Sequence, residues 1–299
     1  MIRWRRGEVL DLRREWAGAV ELTVRCSDGD VRALAYPALV GRPEAGDEVL
    51  LNINAIALGL GTGGYAVVVA IPGRLPPDAD SPGHLMKARY TPLQAAVLGV
   101  DEPASPHHAQ LRDLGSLSGL PVVVADLHSA LPAVLAGVYA DRPATRVGYV
   151  MTDGGALPLA FSQTVAALTA AGALAGTVTV GQAFGGDLEA VTLHTGLLAA
   201  AAVLTAEVVV VTQGPGNLGT ATPWGFSGVA AGEAVNAVSA LGGRPVAALR
   251  VSAADPRERH RGVSHHSLTA YGRVALAAAD VVVPLLDQPL LSELRAEVA

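Results

Sequence analysis

The chain of 299 residues is 51% apolar and only 16% charged, with a net charge of −6 and a pI near 5.7. That length supports a sizeable buried core, and the acidic balance argues against nucleic acid as a general partner. Cys26 is the only cysteine, which excludes an internal disulfide and leads us to expect a cytoplasmic setting.

The opening Met1-Ile2-Arg3-Trp4-Arg5-Arg6 lacks the apolar core of a signal peptide. Residues 1–72 read as a small β-barrel-like domain, with strand-like runs at Gly7–Leu12, Ala19–Arg25, Val31–Ala35, Glu48–Ile53 and Tyr65–Ile71. The Asp28-Gly29 pair supplies the positive φ that a tight hairpin needs. Five short strands suit a compact barrel. A connector rich in proline and small residues spans 73–106, and Thr91-Pro92 predicts a helix start there, Thr as cap and Pro in the first turn. It also holds Lys87, the sole lysine among 21 basic residues. An ammonium can lose its proton where a guanidinium cannot, so Lys87 is a candidate ligand contact.

Residues 107–299 read as an α/β domain, a mostly parallel doubly wound sheet flanked by helices. Its apolar runs are Pro121–Ala125, Arg146–Met151, Thr177–Val180, Glu207–Val211, Pro245–Val251 and Asp280–Leu285. Helices are expected near 130–139, 158–174, 187–204, 227–241, 266–278 and 287–298. The uncharged stretch Gly154 to Gly186 is long enough to span a bilayer. Its glycines, Pro158, Gln163 and threonines make it a buried helix followed by a buried strand instead. Loops at the carboxyl ends of parallel strands converge on one edge of the sheet, where ligands bind.

Those loops carry the chain's reactive residues. Asp126 and His128 follow the first run and Asp153 the second. Asp126, His128 and Asp187 offer the carboxylate and imidazole types that hold a divalent metal. In Gly181–Asp187, Gly185 and Gly186 allow close approach of a ligand, and Asp187 is placed to cap the next helix. Gly214, Gly216, Asn217, Gly219 and Thr220 follow a run of valines, and consecutive N–H groups there can form an anion-binding concavity. Gly214, Gly216 and Gly219 match the dinucleotide pattern G-x-G-x-x-G, but no helix starts at the third glycine. The same pattern recurs at Gly59, Gly61 and Gly64 in the β domain, so it is not read as a dinucleotide site. Ser227 reads as a helix cap rather than a nucleophile.

The densest cluster is Arg250 to His266. Arg257, Arg259 and Arg261 present forked donors for phosphate or carboxylate. His265 and His266 open a helix with Ser264 as its cap, about 100° apart, so that one imidazole faces a ligand while the other packs behind it. Asp153 and Asp255 complete the candidate catalytic set.

Gly181–Glu189, Gly214-Pro215-Gly216-Asn217, Trp224–Gly228, Asp255–His266, Leu58–Tyr65 and His84–Gln94 together resemble a bacterial family catalogued as domain of unknown function 3866. The resemblance implies a cytoplasmic bacterial protein and carries no activity with it. Ala221 stands where the family's threonine-glycine run has glycine. The residues themselves point to an enzyme of hydrolase or transferase type that binds a small anionic, phosphorylated or nucleotide-like metabolite. The alternative is a non-catalytic sensor or scaffold whose β domain contacts a protein. An RNA-binding barrel ranks last, since acidic residues offset its arginines. Apolar helix faces suggest a homo-oligomer.

Overall fold

A computed structural model describes residues 1–60, 64–81 and 83–283, with 292 and 296. The chain divides into two compact units, one of residues 1–82, 86–97 and 160–167, the other of 83–85, 98–159 and 168–299.

In the first unit, β1 (Trp4–Trp16), β2 (Ala19–Cys26), β3 (Gly29–Ala35), β4 (Glu48–Asn52) and β5 (Ala66–Ala70) close into a barrel in the order β1-β2-β3-β5-β4. It is a five-stranded barrel of the kind termed the OB-fold. Two short helices, α1 (Pro37–Val40) and α2 (Asn54–Ala57), flank β4 in the chain. β1 is longer than its apolar run because two register shifts bend it, so that it pairs with β2 along most of its length and with β4 through its first half. Cys26 pairs with Gly29, which puts Ser27 and Asp28 at the turn and the positive φ of 98° on Gly29. Inward-facing Val9, Leu22, Val24, Val49, Leu51 and Val68 fill the interior by strand alternation.

The helix expected from Thr91 is absent. Ala88 and Tyr90 both have positive φ, and the Thr91 hydroxyl donates back to Ala88 O (2.7 Å), closing a turn instead of capping a helix. The segment forms the short strands β6 (Leu85–Lys87) and β7 (Ala95–Val97). Gly61, in the β domain's glycine pattern, lies outside the described residues.

The second unit begins with α3 (His108–Leu111) and is built on seven parallel strands: β8 (Pro121–Ala125), β9 (Val147–Thr152), β10 (Gly176–Val180), β11 (Leu188–Ala190), β12 (Val208–Gln213), β13 (Arg244–Ala248) and β16 (Asp280–Val281). Their order is β11-β10-β9-β12-β8-β13-β16. A hairpin of β14 (Val251–Ser252) and β15 (Gly262–Val263) stands apart from the sheet. The helices are α4 (Leu131–Asp141), α5 (Gln163–Ala170), α6 (Leu193–Ala202), α7 (Ala230–Ala240) and α8 (His265–Thr269), the last continuing as a π-helical turn over Ala270–Val274. No helix among the described residues is long and apolar enough to cross a membrane.

Six strands fall on the six apolar runs, though of Asp280–Leu285 only residues through 283 are described. β11 occupies the start of the expected helix 187–204. Asp187 does not cap that helix: its carboxylate accepts from Thr177 N and Oγ1 (2.8 and 2.9 Å), tying the start of β11 to the start of β10. α6 begins later, capped by Thr192, whose hydroxyl accepts from Thr195 N. The expected helix 287–298 lies outside the described residues apart from 292 and 296.

From β8 the chain moves outward through β9, β10 and β11, returns to insert β12 beside β8, then leaves on the other side through β13 and β16. The reversal at β12 and β8 is a topological switch point, where the loops after adjacent strands part and leave a crevice. A Cβ on Gly232 would collide with Ala270 O, so this glycine lets α7 lie tight against the turn that follows α8. That contact brings the start of α8 beside the same crevice.

Candidate functional site at the strand switch point

The loop after β12 is a small hairpin. Thr220 N donates to Gly225 O (2.7 Å) and Ser227 N to Leu218 O (2.9 Å), with Ala221 at the tip at φ 60°. Several of its N–H groups are taken up within the fold. Gly214 N donates to Thr152 O, Pro215 has no N–H, and Leu218 N donates to Ser227 Oγ (3.0 Å). A Cβ on Gly214 would strike Ala156 O, a packing reason for glycine there. The Thr220 and Thr222 hydroxyls lie 3.2 Å apart, and Thr222 Oγ1 accepts from Gly225 N, so both brace the tip. Ser227 is likewise no helix cap: its hydroxyl donates to Asn217 Oδ1 (2.7 Å), fixing the amide so that Nδ2 faces His266 Nδ1 at 3.3 Å. Phe226 is buried beneath the hairpin, while Trp224 is exposed.

Across from this hairpin, the segment after β13 brings three imidazoles together. The ring centroids of His260 and His265 are 5.0 Å apart, those of His260 and His266 4.8 Å, and those of His265 and His266 4.4 Å. Phe226 stacks face to face on His266 at 3.9 Å. Ser264 caps α8 by accepting from His266 N, as its place before the paired histidines predicts, and it also meets His260 Nδ1 at 2.7 Å. Behind His266 lies Asp126, 2% exposed, with Oδ2 3.3 Å from His266 Nδ1 but outside hydrogen-bonding alignment. His265 Nε2 is buried with no hydrogen-bond partner.

These groups open on a hollow of about 580 Å³ whose charged lining is Arg250, Arg257 and Arg259. Asp255 accepts from Arg257 Nε and Nη2 (3.0 and 2.9 Å) and meets Arg250 Nη2 at 3.3 Å, so it orients two of the three guanidiniums. The Arg257 side-chain and backbone hydrogen bonds hold its carboxyl well below the usual range. Arg259 has no carboxylate partner among the described residues. A second hollow of similar size, lined by Tyr139, residues 143–147 and residues 171–175, sits where β9 and β10 begin and has Arg146 as its only charged residue. Chemistry, not size, separates the two.

The surroundings disfavour the charged forms of His260 and His265. Burial, reinforced by Arg250 and Arg257, pushes His260 down to about 4. Burial and then the neighbouring His266, Arg259 and Arg250 lower His265, with Asp126 opposing them weakly.

Of the residues singled out from sequence, Asn217, Gly219, Thr220, Arg257, Arg259, His265 and His266 line this hollow. Asp126 and Asp255 stand immediately behind it. The others lie elsewhere. Asp153 is exposed and accepts from Gln182 N (2.9 Å), bracing the turn after β10. Gly185 N donates to Glu189 Oε1 and Gly186 N to Thr179 Oγ1, so these glycines serve the β10–β11 turn. Gly216 has φ 90° and is exposed, and Arg261 is exposed on the outer side of the segment. Lys87 belongs to the first unit, where it is fully buried. The metal trio of Asp126, His128 and Asp187 does not assemble. His128 lies against Tyr149 (Nδ1 to OH 3.0 Å), and Asp187 is at the amino-terminal edge of the sheet. His260 and Arg250, both inside the densest cluster, and Phe226 are site residues to which the sequence reading gave no role. Three histidines within seven residues were the available signal for the first.

The fold and site thus define an α/β protein with a cationic, histidine-lined crevice at its strand switch point, preceded in the sequence by a β-barrel unit. A profile of the family described as protein of unknown function (DUF3866) matches residues 32–299, and the chain belongs to that family. No curated protein matches the sequence.

Proposed function

We propose that this protein is an enzyme that binds a small anionic, phosphorylated or nucleotide-like metabolite in the hollow beyond β8, β12 and β13 and hydrolyses it or transfers a group from it. The observation that carries this reading is the meeting of three arginines and three imidazoles on one crevice. Guanidiniums pre-oriented by Asp255 match the oxygens of a phosphoryl group. Neutral imidazoles in a partly dry site can take a proton from a nucleophile or hold an electrophile. Hydride transfer to a dinucleotide is disfavoured, because α7 begins ten residues or more beyond the glycine loop and offers no helix N-terminus to a pyrophosphate there.

Calorimetric titration with inorganic phosphate, pyrophosphate and nucleotides tests the binding step. Arg259→Ala should weaken the best of these at least about tenfold, roughly 1.4 kcal/mol. For an enzyme, His265→Ala should abolish turnover while keeping anion affinity within about tenfold. Loss of affinity without any turnover to lose would favour the sensor reading. No binding of any of these anions would remove the proposal. With it go a reducing, cytoplasmic setting for Cys26 and self-association through apolar surface, which light scattering at micromolar concentration checks.

A further inference from the structure

We propose that His260, His265 and His266 form a binding site for one divalent transition-metal ion of the zinc class on the wall of the hollow. The ion's role in catalysis rests on the functional reading above; its binding does not.

Each of the three residues offers an imidazole nitrogen within 4.8 Å of the other two. A tetrahedral ion with bonds of about 2.0–2.1 Å needs nitrogens about 3.4 Å apart, so small side-chain rotations close the set. Two of the rings already have a hydrogen-bonding neighbour at Nδ1, His260 the Ser264 hydroxyl and His266 the Asn217 amide, and the Asp126 carboxylate lies 3.3 Å from His266 Nδ1. Outer contacts of this kind orient a ligating ring, and a carboxylate behind a histidine is the commonest form. The third ring, His265, has a buried Nε2 without a partner, and Asp126 Oδ2 is buried and unbonded as well. Simple packing against Phe226 does not account for these two atoms. Apolar side chains would stack equally well, and buried polar atoms normally have partners.

The donor set selects the ion. Calcium and magnesium take oxygen ligands, whereas imidazole suits zinc, cobalt, nickel and copper. Three protein ligands leave an open position, as in catalytic rather than structural sites. That position faces Arg250, Arg257 and Arg259, which oppose a cation by themselves but bring an anion beside it. The ion would supply a Lewis acid at an oxygen of that anion.

The test uses untagged, metal-stripped full-length protein titrated with Co²⁺, read by visible d–d absorption, and with Zn²⁺ by calorimetry. One ion per chain is expected. His265→Ala and His260→Ala should each weaken binding at least about tenfold. Because His260 is buried and its variant can fail to fold, His265→Gln at the more open position serves as the second variant, with circular dichroism as control. Arg259→Ala should leave metal affinity within about threefold while losing phosphate. Absence of a stoichiometric Co²⁺ band in the wild type, or a band unchanged by the His265 variants, overturns the metal site. Metal binding that persists while no anion binds overturns the enzyme reading and leaves the site standing.

Discussion

Lowering the pH from 7 to 5 should destabilise the α/β unit steeply, before most carboxylates titrate. His128 and His260 are both held near 4 by burial, against an ordinary value of 6.5. Between those values the unfolded chain binds protons that the folded unit refuses, so stability is complete above about pH 6.5 and falls as pH drops towards 4. At pH 5 each group costs about 2 kcal/mol, and the pair about 4 kcal/mol before allowance for partial solvent access, which reduces the total to roughly 2–4 kcal/mol. Burial also lowers His265, adding in the same direction. A domain of this size has about 5–15 kcal/mol in hand, so the effect is large. Urea titrations of metal-free, phosphate-free protein at pH 7, 6 and 5, followed by circular dichroism, read it directly. His128→Phe should flatten the slope by up to about 1.4 kcal/mol per pH unit. A midpoint that stays constant, or rises, from pH 7 to 5 would refute the claim that these imidazoles are neutral and dry.

Glu21, buried in the barrel unit, feels burial that raises its pKa, yet hydrogen bonds from Arg14 (2.9 Å) and Arg32 (3.0 Å) outweigh it and hold it low. Its stabilisation is present above the ordinary glutamate value and lost as pH falls through the depressed one. Glu21→Gln should cost about 2–3 kcal/mol in denaturant midpoint, the lower end for a broken buried pair because the arginines remain half-exposed. Gly214→Ala drives a Cβ into Ala156 O and should lower the stability of the α/β unit by about 2–4 kcal/mol. An unchanged melting temperature with lost anion affinity would instead restore a ligand role for that glycine. Ala221→Gly relieves a left-handed backbone at φ 60°, and thermal melts should show a gain of up to about 1 kcal/mol, since relief of strain exceeds the added freedom of the unfolded chain. Phe226→Leu removes the ring stacked on His266 and should cost about 1–1.5 kcal/mol, visible as a shift of the His266 proton resonances as well as of the midpoint.

Much of the architecture was legible because it depends on local pattern. Valine-rich runs ended by glycine or polar clusters mark strands, and the alternating runs of the first 72 residues mark a barrel. Ser264 before two histidines reads as a cap, and it is one. The failures share a cause. Thr91, Asp187 and Ser227 all have side chains that can cap a helix, but each spends its oxygen on a different group: Ala88 O, the Thr177 backbone and hydroxyl, and Asn217 with Leu218 N. A short polar side chain carries no mark of which nearby donor or acceptor it will meet.

Composition and periodicity, read from the chain alone, determined the strands of the barrel, the parallel sheet and the concentration of reactive groups in the loops after strands. They did so because strand and helix periods and turn chemistry are properties of neighbours in sequence. Which loops share a crevice was decided by the insertion of β12 between β9 and β8. That insertion joins residues about sixty and about ninety positions apart, and it places Asn217, Phe226 and Asp126 against the histidines while leaving Asp153 and Asp187 to brace other turns. Strand order arises from long-range pairing of runs that are nearly interchangeable in their valines, so no local stretch of the chain encodes it.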